Sequence, residues 1–347
     1  MGLSVDVEKR FRDFTLCVRL ETEKGTLALL GASGCGKSLT LRCIAGIEKP
    51  DRGRIVLDGV TLFDSERRIW LAPQERHVGL MFQHYALFPQ MTVAQNVACG
   101  AQRSLSGAQR EAAVREALER MGIAPLRDRL PGQLSGGEQQ RTALARILVS
   151  EPRILMLDEP FSALDSHLRF RMEQEMRAVI RDFEGPVLLV SHDRDEVYRM
   201  ADRVAVMENG RIRRIGTRDE VFRDPGTRTG CMLTGCKNIS RVRVLDAGHA
   251  MATDWGITLA LPLRPGTDAL GIRMHSIRPG PGENTFRCRV TGVVENPFSY
   301  TVMLRPLDAP GSSETIGWEM EKPVWEALRA EEITVHFPMD GLLQLKG

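Results

Sequence analysis

No apolar run in this chain of 347 residues is long enough to cross a bilayer; the longest core-like stretches, such as Val187-Leu188-Leu189-Val190, end after a handful of residues. The amino terminus lacks the positive-then-apolar order of a secretory signal. Any dealings with a membrane therefore need other subunits to supply the spans. A C-x-x-C pair is missing too. The seven cysteines, Cys17, Cys35, Cys43, Cys99, Cys231, Cys236 and Cys288, are odd in number and dispersed, which argues against a disulfide frame or a zinc site and fits reduced thiols in a cytoplasm. No charge of one sign dominates: the formal net charge of +2 gives no case for nucleic acid or a polybasic membrane anchor. Low-complexity segments and clear repeats are lacking.

What is present is ordinary globular material, 42% hydrophobic and 27% charged, in a chain long enough for about two or three domains. One stretch stands out within it, Gly31-Ala32-Ser33-Gly34-Cys35-Gly36-Lys37-Ser38. It follows a buried-strand pattern over 26–30 and precedes a helical one over 39–44. Its glycines let successive backbone N–H groups turn toward one anion, and the following helix adds the positive end of its dipole. Lys37 supplies a point charge for outer phosphates, and Ser38 offers a hydroxyl to a magnesium ion. A Gly-rich turn with a surface lysine is the bland alternative; the strand, the helix and the Lys-Ser offset speak against it. The stretch reads as a nucleotide triphosphate site.

Taken in order, residues 3–8 alternate as a half-exposed strand, and 15–20 read as its partner. Phe11 and Phe14 stand near the turn between them. A lone Phe is usually core, but a ring just upstream of a phosphate loop can stack on a purine, and that role is given to Phe11. Asp58-Gly59 between two apolar runs predicts a hairpin. A buried-looking strand over 77–82 ends in Gln83, which at a strand's carboxyl edge either reaches a metal ion or water or is an ordinary loop residue. Helical patterns run from 93 to 121, with Ser106 and Gln109 as a capping box and Ala113, Val114, Ala117, Leu118 and Met121 as one core-facing stripe.

Leu134-Ser135-Gly136-Gly137-Glu138-Gln139-Gln140-Arg141 opens another helix. Its two glycines expose N–H groups as a second potential anion site, though a Ser N-cap with flexible glycines accounts for the same pattern. The apolar run 154–157 ends in Asp158-Glu159-Pro160, where Asp158 can hold magnesium through its water shell and Glu159 can polarise a nucleophilic water. Ser162-Ala163-Leu164-Asp165 then starts a helix. A strand over 187–190 ends in Ser191-His192-Asp193; His192 either donates to a terminal phosphate or is a satisfied structural histidine. Residues 203–207 and 211–215 flank Glu208-Asn209-Gly210 as a second hairpin, its arginines alternating with isoleucines as a solvated face. Residues 217–235 read as a helix-and-linker transition. After Gly235, short alternating runs at 240–245, 256–261, 270–274, 285–294, 300–304 and 333–337, with one helical pattern over 323–330, predict a small β-barrel or half-barrel.

The phosphate loop, Gln83, Ser135-Gly136-Gly137, Asp158-Glu159 and His192, in this order, closely resemble the ATP-binding subunits of ABC transporters over residues 3–235. The Leu-Ser-Gly-Gly-Glu-Gln-Gln run is that family's signature. The resemblance implies an α/β P-loop NTPase domain at 1–235, with a helical subdomain at 85–150, and a β-barrel-like OB/TOBE-type regulatory domain at 236–347. It makes Gly31, Ala32, Ser33, Gly34, Cys35, Gly36, Lys37 and Ser38 the Walker A loop for ATP and Gln83 the Q-loop. Residues 154–158 become the Walker B strand, Glu159 the catalytic carboxylate, 162–165 the D-loop and His192 the switch histidine. Phe11 stands where Tyr or Trp is more usual for base stacking. Family members work as head-to-tail pairs, so Ser135, Gly136 and Gly137 are expected against the γ-phosphate held by a second copy. Ser38, Gln83 and Asp158 would hold Mg2+, while Lys37 and His192 steady the phosphoryl group. Residues 85–89, Tyr85-Ala86-Leu87-Phe88-Pro89, either pack against integral membrane permease subunits or belong to ordinary core. The implied placement is peripheral, on the cytoplasmic face of the cell membrane, with an extracytoplasmic solute-binding protein as an indirect partner and no nucleic acid.

The spacing Glu8-Lys9-Arg10-Phe11, the junction Gly235-Cys236-Lys237-Asn238-Ile239-Ser240 and the β-rich tail look most like the molybdate and sulfate importers. The expected solute is therefore an oxyanion, which the tail would also bind, with ferric iron, a polyamine or a sugar as alternatives. A soluble ABC-type ATPase is the rival class. Its DNA-repair members would carry a long heptad insertion between the Walker motifs and its ribosome-acting members two cassettes, and this sequence has neither.

Overall fold

Alternation and turn chemistry build the first strands. β1 (Leu3–Arg10) and β2 (Thr15–Thr22) pair antiparallel, turning Leu3, Val5, Val7, Leu16, Val18 and Leu20 inward as period-two patterning requires. The computed structural model describes residues 2–102, 104–162 and 166–347. Its chain divides into two compact units, Met1–Arg218 and Asp219–Gly347. β3 (Gly25–Gly31) is buried along nearly all its length, and α1 (Lys37–Ala45) follows, closed by Gly46 at φ 80°. β4 (Arg52–Leu57) and β5 (Val60–Asp64) meet through Asp58 and Gly59, at φ 49° and 79°, as the Asp-Gly pair predicts.

β6 (Ile69–Trp70) and β7 (Val78–Met81) precede three helices, α2 (Val93–Ala98), α3 (Gly107–Arg120) and α4 (Gly136–Leu148). The Ser106–Gln109 capping box forms, and Val114, Leu118 and Met121 are buried. Next come β8 (Ile154–Asp158), α5 (Ser166–Asp182), β9 (Pro186–Ser191) and α6 (Arg194–Met200). The hairpin β10 (Arg203–Glu208) and β11 (Arg211–Thr217) turns at Asn209 and Gly210. A register shift between Val206 and Met207 leaves Ile215 exposed and Arg214 half-buried, so the arginine–isoleucine alternation is not a purely solvated face.

The strand order of the first unit is β6-β5-β4-β1-β2-β11-β10-β3-β9-β8-β7, with β10, β3, β9, β8 and β7 parallel neighbours. Register then decides where the chemistry lies. Leu30 sits beside Ser191, Val190 beside Asp158, and Leu157 beside Met81. The carboxyl ends of β3, β9, β8 and β7 thus deliver the phosphate loop, His192, Glu159 and Gln83 to one rim, where open α/β sheets take their ligands.

The helix-and-linker stretch forms α7 (Arg218–Arg223) and α8 (Arg228–Leu233), the latter inside the second unit. That unit holds β12 (Asn238–Val244), β13 (His249–Ala252), β14 (Ile257–Ala260), β15 (Ala269–Ile272), β16 (Arg278–Pro279), β17 (Thr285–Glu295) and β18 (Ser299–Pro306). β19 (Ile316–Glu321), α9 (Lys322–Leu328), β20 (Glu332–His336) and β21 (Leu342–Leu345) complete it. Two five-stranded sheets, β14-β13-β12-β15-β21 and β16-β20-β17-β18-β19, share one core around Trp255, Ile277, Val302, Trp318 and Phe337. This is the expected β-rich, barrel-like domain. Buried Asn238 of β12 explains part of its junction: its Nδ2 donates to Gly317 O (2.7 Å) and its Oδ1 accepts from Gly317 N (2.8 Å), stitching one sheet to the other. All seven cysteines are free thiols.

Candidate nucleotide site

The phosphate loop is shaped by its glycines. A Cβ at Gly31 would come 2.5 Å from both Cys35 Sγ and Met207 O. Gly34 and Gly36 take φ of 78° and 106°, the left-handed region. Gly36 is the N-cap of α1 and no side chain caps that helix, so its first-turn N–H groups are left for a ligand. Ala32 and Ser33 are exposed along the loop, while Cys35 is buried, which pushes its thiol pKa up and keeps it neutral. Lys37 is nearly buried and folds back across the loop, its Nζ donating to Gly31 O (2.7 Å) and Ala32 O (3.0 Å).

Ser38 Oγ donates to Asp158 Oδ1 at 2.7 Å, joining the loop to the end of β8. Asp158 is buried; that burial pushes its carboxyl pKa up, Glu159 adds to the effect and the Ser38 bond opposes it. A hydroxyl and a buried carboxylate are hard oxygen donors, the chemistry that suits Mg2+. Glu159 occupies the left-handed region at φ 47°, a strained conformation for a non-glycine residue. Its N–H donates to Val190 O (2.9 Å), so β9 fixes its backbone. Its Oε1 lies 3.3 Å from His192 Nδ1, the two side chains leaving neighbouring strand ends. Gln83 is exposed just beyond β7.

Ser135 caps α4: its N–H and Oγ donate to Glu138 Oε2 (2.7 and 2.8 Å), and its Oγ accepts from Glu138 N (3.4 Å). The backbone bond from Ser135 is the main cause holding the Glu138 carboxyl below its usual range. Ser135 is exposed, Gly136 half-buried and Gly137 buried; all three open a helix packed with α2, α3 and β7. Phe11 and Phe14 part company. Phe11 is exposed, with Lys9 Nζ 5.6 Å from its ring centroid, whereas Phe14 packs against the core.

The 85–89 segment divides between its two readings. Tyr85 belongs to the core: it is buried, and its hydroxyl donates to Pro160 O (3.4 Å). Tyr85 and Ala86 are both left-handed, at φ 59° and 46°, which turns the chain so that Phe88 faces outward. Arg146 of α4 holds this shape, donating to Tyr85 O (2.8 Å) and Ala86 O (2.7 Å). Two buried groups near the site escaped the sequence reading. Gln140 reaches Pro160 O (3.2 Å), and Glu196 accepts from Ser191 Oγ (3.0 Å). Ala163, Leu164 and Asp165 of the expected D-loop lie outside the described residues.

A phosphate loop and a carboxylate-histidine pair on adjacent parallel strand ends define a P-loop ATPase, and comparison with known proteins agrees. The family model "ABC transporter" matches residues 17–162. The sulfate/thiosulfate import ATP-binding protein CysA of Bradyrhizobium diazoefficiens is 38% identical over 332 residues, 93% of each chain. The molybdate/tungstate import ATP-binding protein WtpC of Archaeoglobus fulgidus is 46% identical over 64% of this chain and 90% of its own. The Fe(3+) ions import ATP-binding protein FbpC of Streptomyces coelicolor is 39% identical over 83% and 81%. A dimeric ATP-binding cassette solved in a post-hydrolysis state with ADP and Pi superposes with a TM-score of 0.53 at 26% identity, covering 63% of this chain and 99% of that one. The chain belongs to the ABC transporter family as an ATP-binding subunit of the importer type, an ATPase. No helix among the described residues is long and apolar enough to cross a membrane.

Proposed function

We propose that two copies of this chain clasp ATP head to tail and couple its hydrolysis to uptake of an oxyanion through permease subunits. Lys37 exchanges its two carbonyl partners for the outer phosphates, and Phe11 stacks on the base. Ser135, Gly136 and Gly137 of the second copy close over the γ-phosphate. Ser38, Asp158 and Gln83 hold Mg2+, which supplies charge neutralisation at the phosphates. Glu159 takes the proton of the attacking water as its oxygen bonds to the γ-phosphorus and the bond to ADP breaks. His192, held against Glu159, fixes that carboxylate and donates to the departing phosphoryl group. The observation that carries this reading is the pairing of Ser38 with Asp158 (2.7 Å) and Glu159 with His192 (3.3 Å) on one rim.

The test is Glu159→Gln. ATP binding should persist while turnover drops by about 100-fold or more, the usual worth of a general base. Turnover near the wild-type rate sinks the assignment.

The oxyanion rests on relatives named for sulfate and molybdate transport; others of similar identity are named for Fe(3+) and for spermidine/putrescine. Permease contact is proposed for the segment around exposed Phe88, at the cytoplasmic face of the membrane. We assign the second unit to sensing the same oxyanion. It contains Trp255, Trp318 and Trp325, all buried, so molybdate, tungstate or sulfate added to the full chain should change tryptophan emission. No response to any of the three removes the sensing role.

A further inference from the structure

The turn after Glu159 is closed on itself by Ser162, whose N–H and Oγ both donate to Glu159 O (3.2 and 3.0 Å). Pro160 cannot anchor this turn through an N–H, having none. Its carbonyl is met in the interior by two side chains from elsewhere, Tyr85 Oη at 3.4 Å and Gln140 Nε2 at 3.2 Å. Both residues are buried, Gln140 almost completely. Gln140 is an awkward choice for packing. Its Oε1 is buried without a partner, a desolvation cost that a leucine would not carry. What the amide provides is its donor to Pro160.

We propose that Gln140 and Tyr85 are positioning residues for Glu159, acting through the single carbonyl they share. The proposal rests on the catalytic reading of Glu159 above. Gln140 lies in the helix that Ser135 caps, and Tyr85 leads into the segment carrying exposed Phe88. Arg146, also of α4, clamps the Tyr85 and Ala86 carbonyls. The start of α4 and the Phe88 segment therefore bear together on the Glu159 turn. A shift at either one is delivered to the carboxylate, whose backbone N–H β9 holds through the Val190 carbonyl.

The experiment compares Gln140→Leu, Tyr85→Phe and the double variant in the full chain, by kcat and KM for ATP and by thermal unfolding. Each single variant should lower kcat about tenfold at unchanged KM, as small misplacements of a catalytic group do. Gln140→Leu should melt no lower than wild type, since its unpartnered acceptor is gone. The double variant should resemble the slower single one, because both act through one carbonyl. Values of kcat within about twofold of wild type overturn the proposal, as does a rate loss accompanied by a matching fall in melting temperature or a rise in KM. Should Glu159→Gln itself retain wild-type turnover, the failure belongs to the reading of Glu159 and not to these two residues.

Discussion

Glu196 links the stability of the first unit to pH. It sits in α6, accepts from Ser191 Oγ (3.0 Å) on one oxygen and has no partner on the other. Burial is the main cause lifting its pKa from the ordinary 4.5 to about 8; Asp193 and Glu173 add to the lift, while the Ser191 bond and Arg169 oppose it. Glu173 is itself held by Arg199 through two bonds, 2.6 and 2.8 Å, so its charge stays close by. The unfolded chain releases the Glu196 proton near 4.5 and the folded chain keeps it until about 8. Stability from this group is therefore full below 4.5 and declines as pH rises toward 8, at about 1.4 kcal/mol per pH unit. The accumulated cost is roughly 3 kcal/mol by pH 7 and about 5 kcal/mol by pH 8. Glu196→Gln keeps the shape and abolishes the titration. Urea unfolding followed by circular dichroism should find the variant and wild type nearly equal at pH 5, and the variant more stable by about 3 kcal/mol at pH 7. The difference should widen further by pH 8. Stability–pH curves for the two proteins that run parallel refute the reasoning.

Two further perturbations test other parts of the architecture. Arg76 is buried over the Trp70 ring (4.3 Å), and burial lowers its pKa to about 10, which leaves it charged at neutral pH. It donates to Cys43 O (3.0 Å) and Ile44 O (2.8 Å) at the end of α1 and to Leu71 O (2.9 Å). Arg76→Met strands those carbonyls and should cost roughly 3 kcal/mol in denaturant unfolding; no measurable loss contradicts the capping role. Ser135→Ala should cost about 1 kcal/mol as a lost N-cap and also weaken ATP-driven pairing of the chains, read by sedimentation in the Glu159→Gln background. Ser135→Asp restores a cap while placing a like charge against ATP, so recovery of stability without recovery of pairing is the expected signature. Recovery of both would assign Ser135 to capping alone.

The strand ends were legible because each element announces itself locally: an apolar run, then the polar residues that close it. The buried run of β3 before Gly31 and that of β8 before Asp158 needed no knowledge of the sheet. The order β3-β9-β8-β7, which makes neighbours of residues far apart in sequence, was not in the pattern and emerges only in the folded sheet. β13, β16, β19 and β21 were missed in the second unit. Their pairing is set by how the two sheets share a core, not by their own few residues. The facing of Tyr85 stayed open in the sequence because two left-handed residues in succession break the periodicity from which facing is read.

Partner type explains the remaining misses better than burial does. Ser38 with Asp158, and Glu159 with His192, are side chains that meet side chains, so each pair leaves two marks in the sequence and either one prompts a search for the other. Gln140, Arg146, Arg76 and Asn238 bond to backbone groups: Pro160, Tyr85 and Ala86, Cys43 and Ile44, and Gly317. Every residue has a carbonyl, so these bonds leave a single mark and no complement to look for. A long polar side chain in a helix then reads as a solvated face even when it ties down a distant turn, as Gln140 does at Pro160. Such ties hold backbone in conformations it would not choose unaided, as at Tyr85 and Ala86.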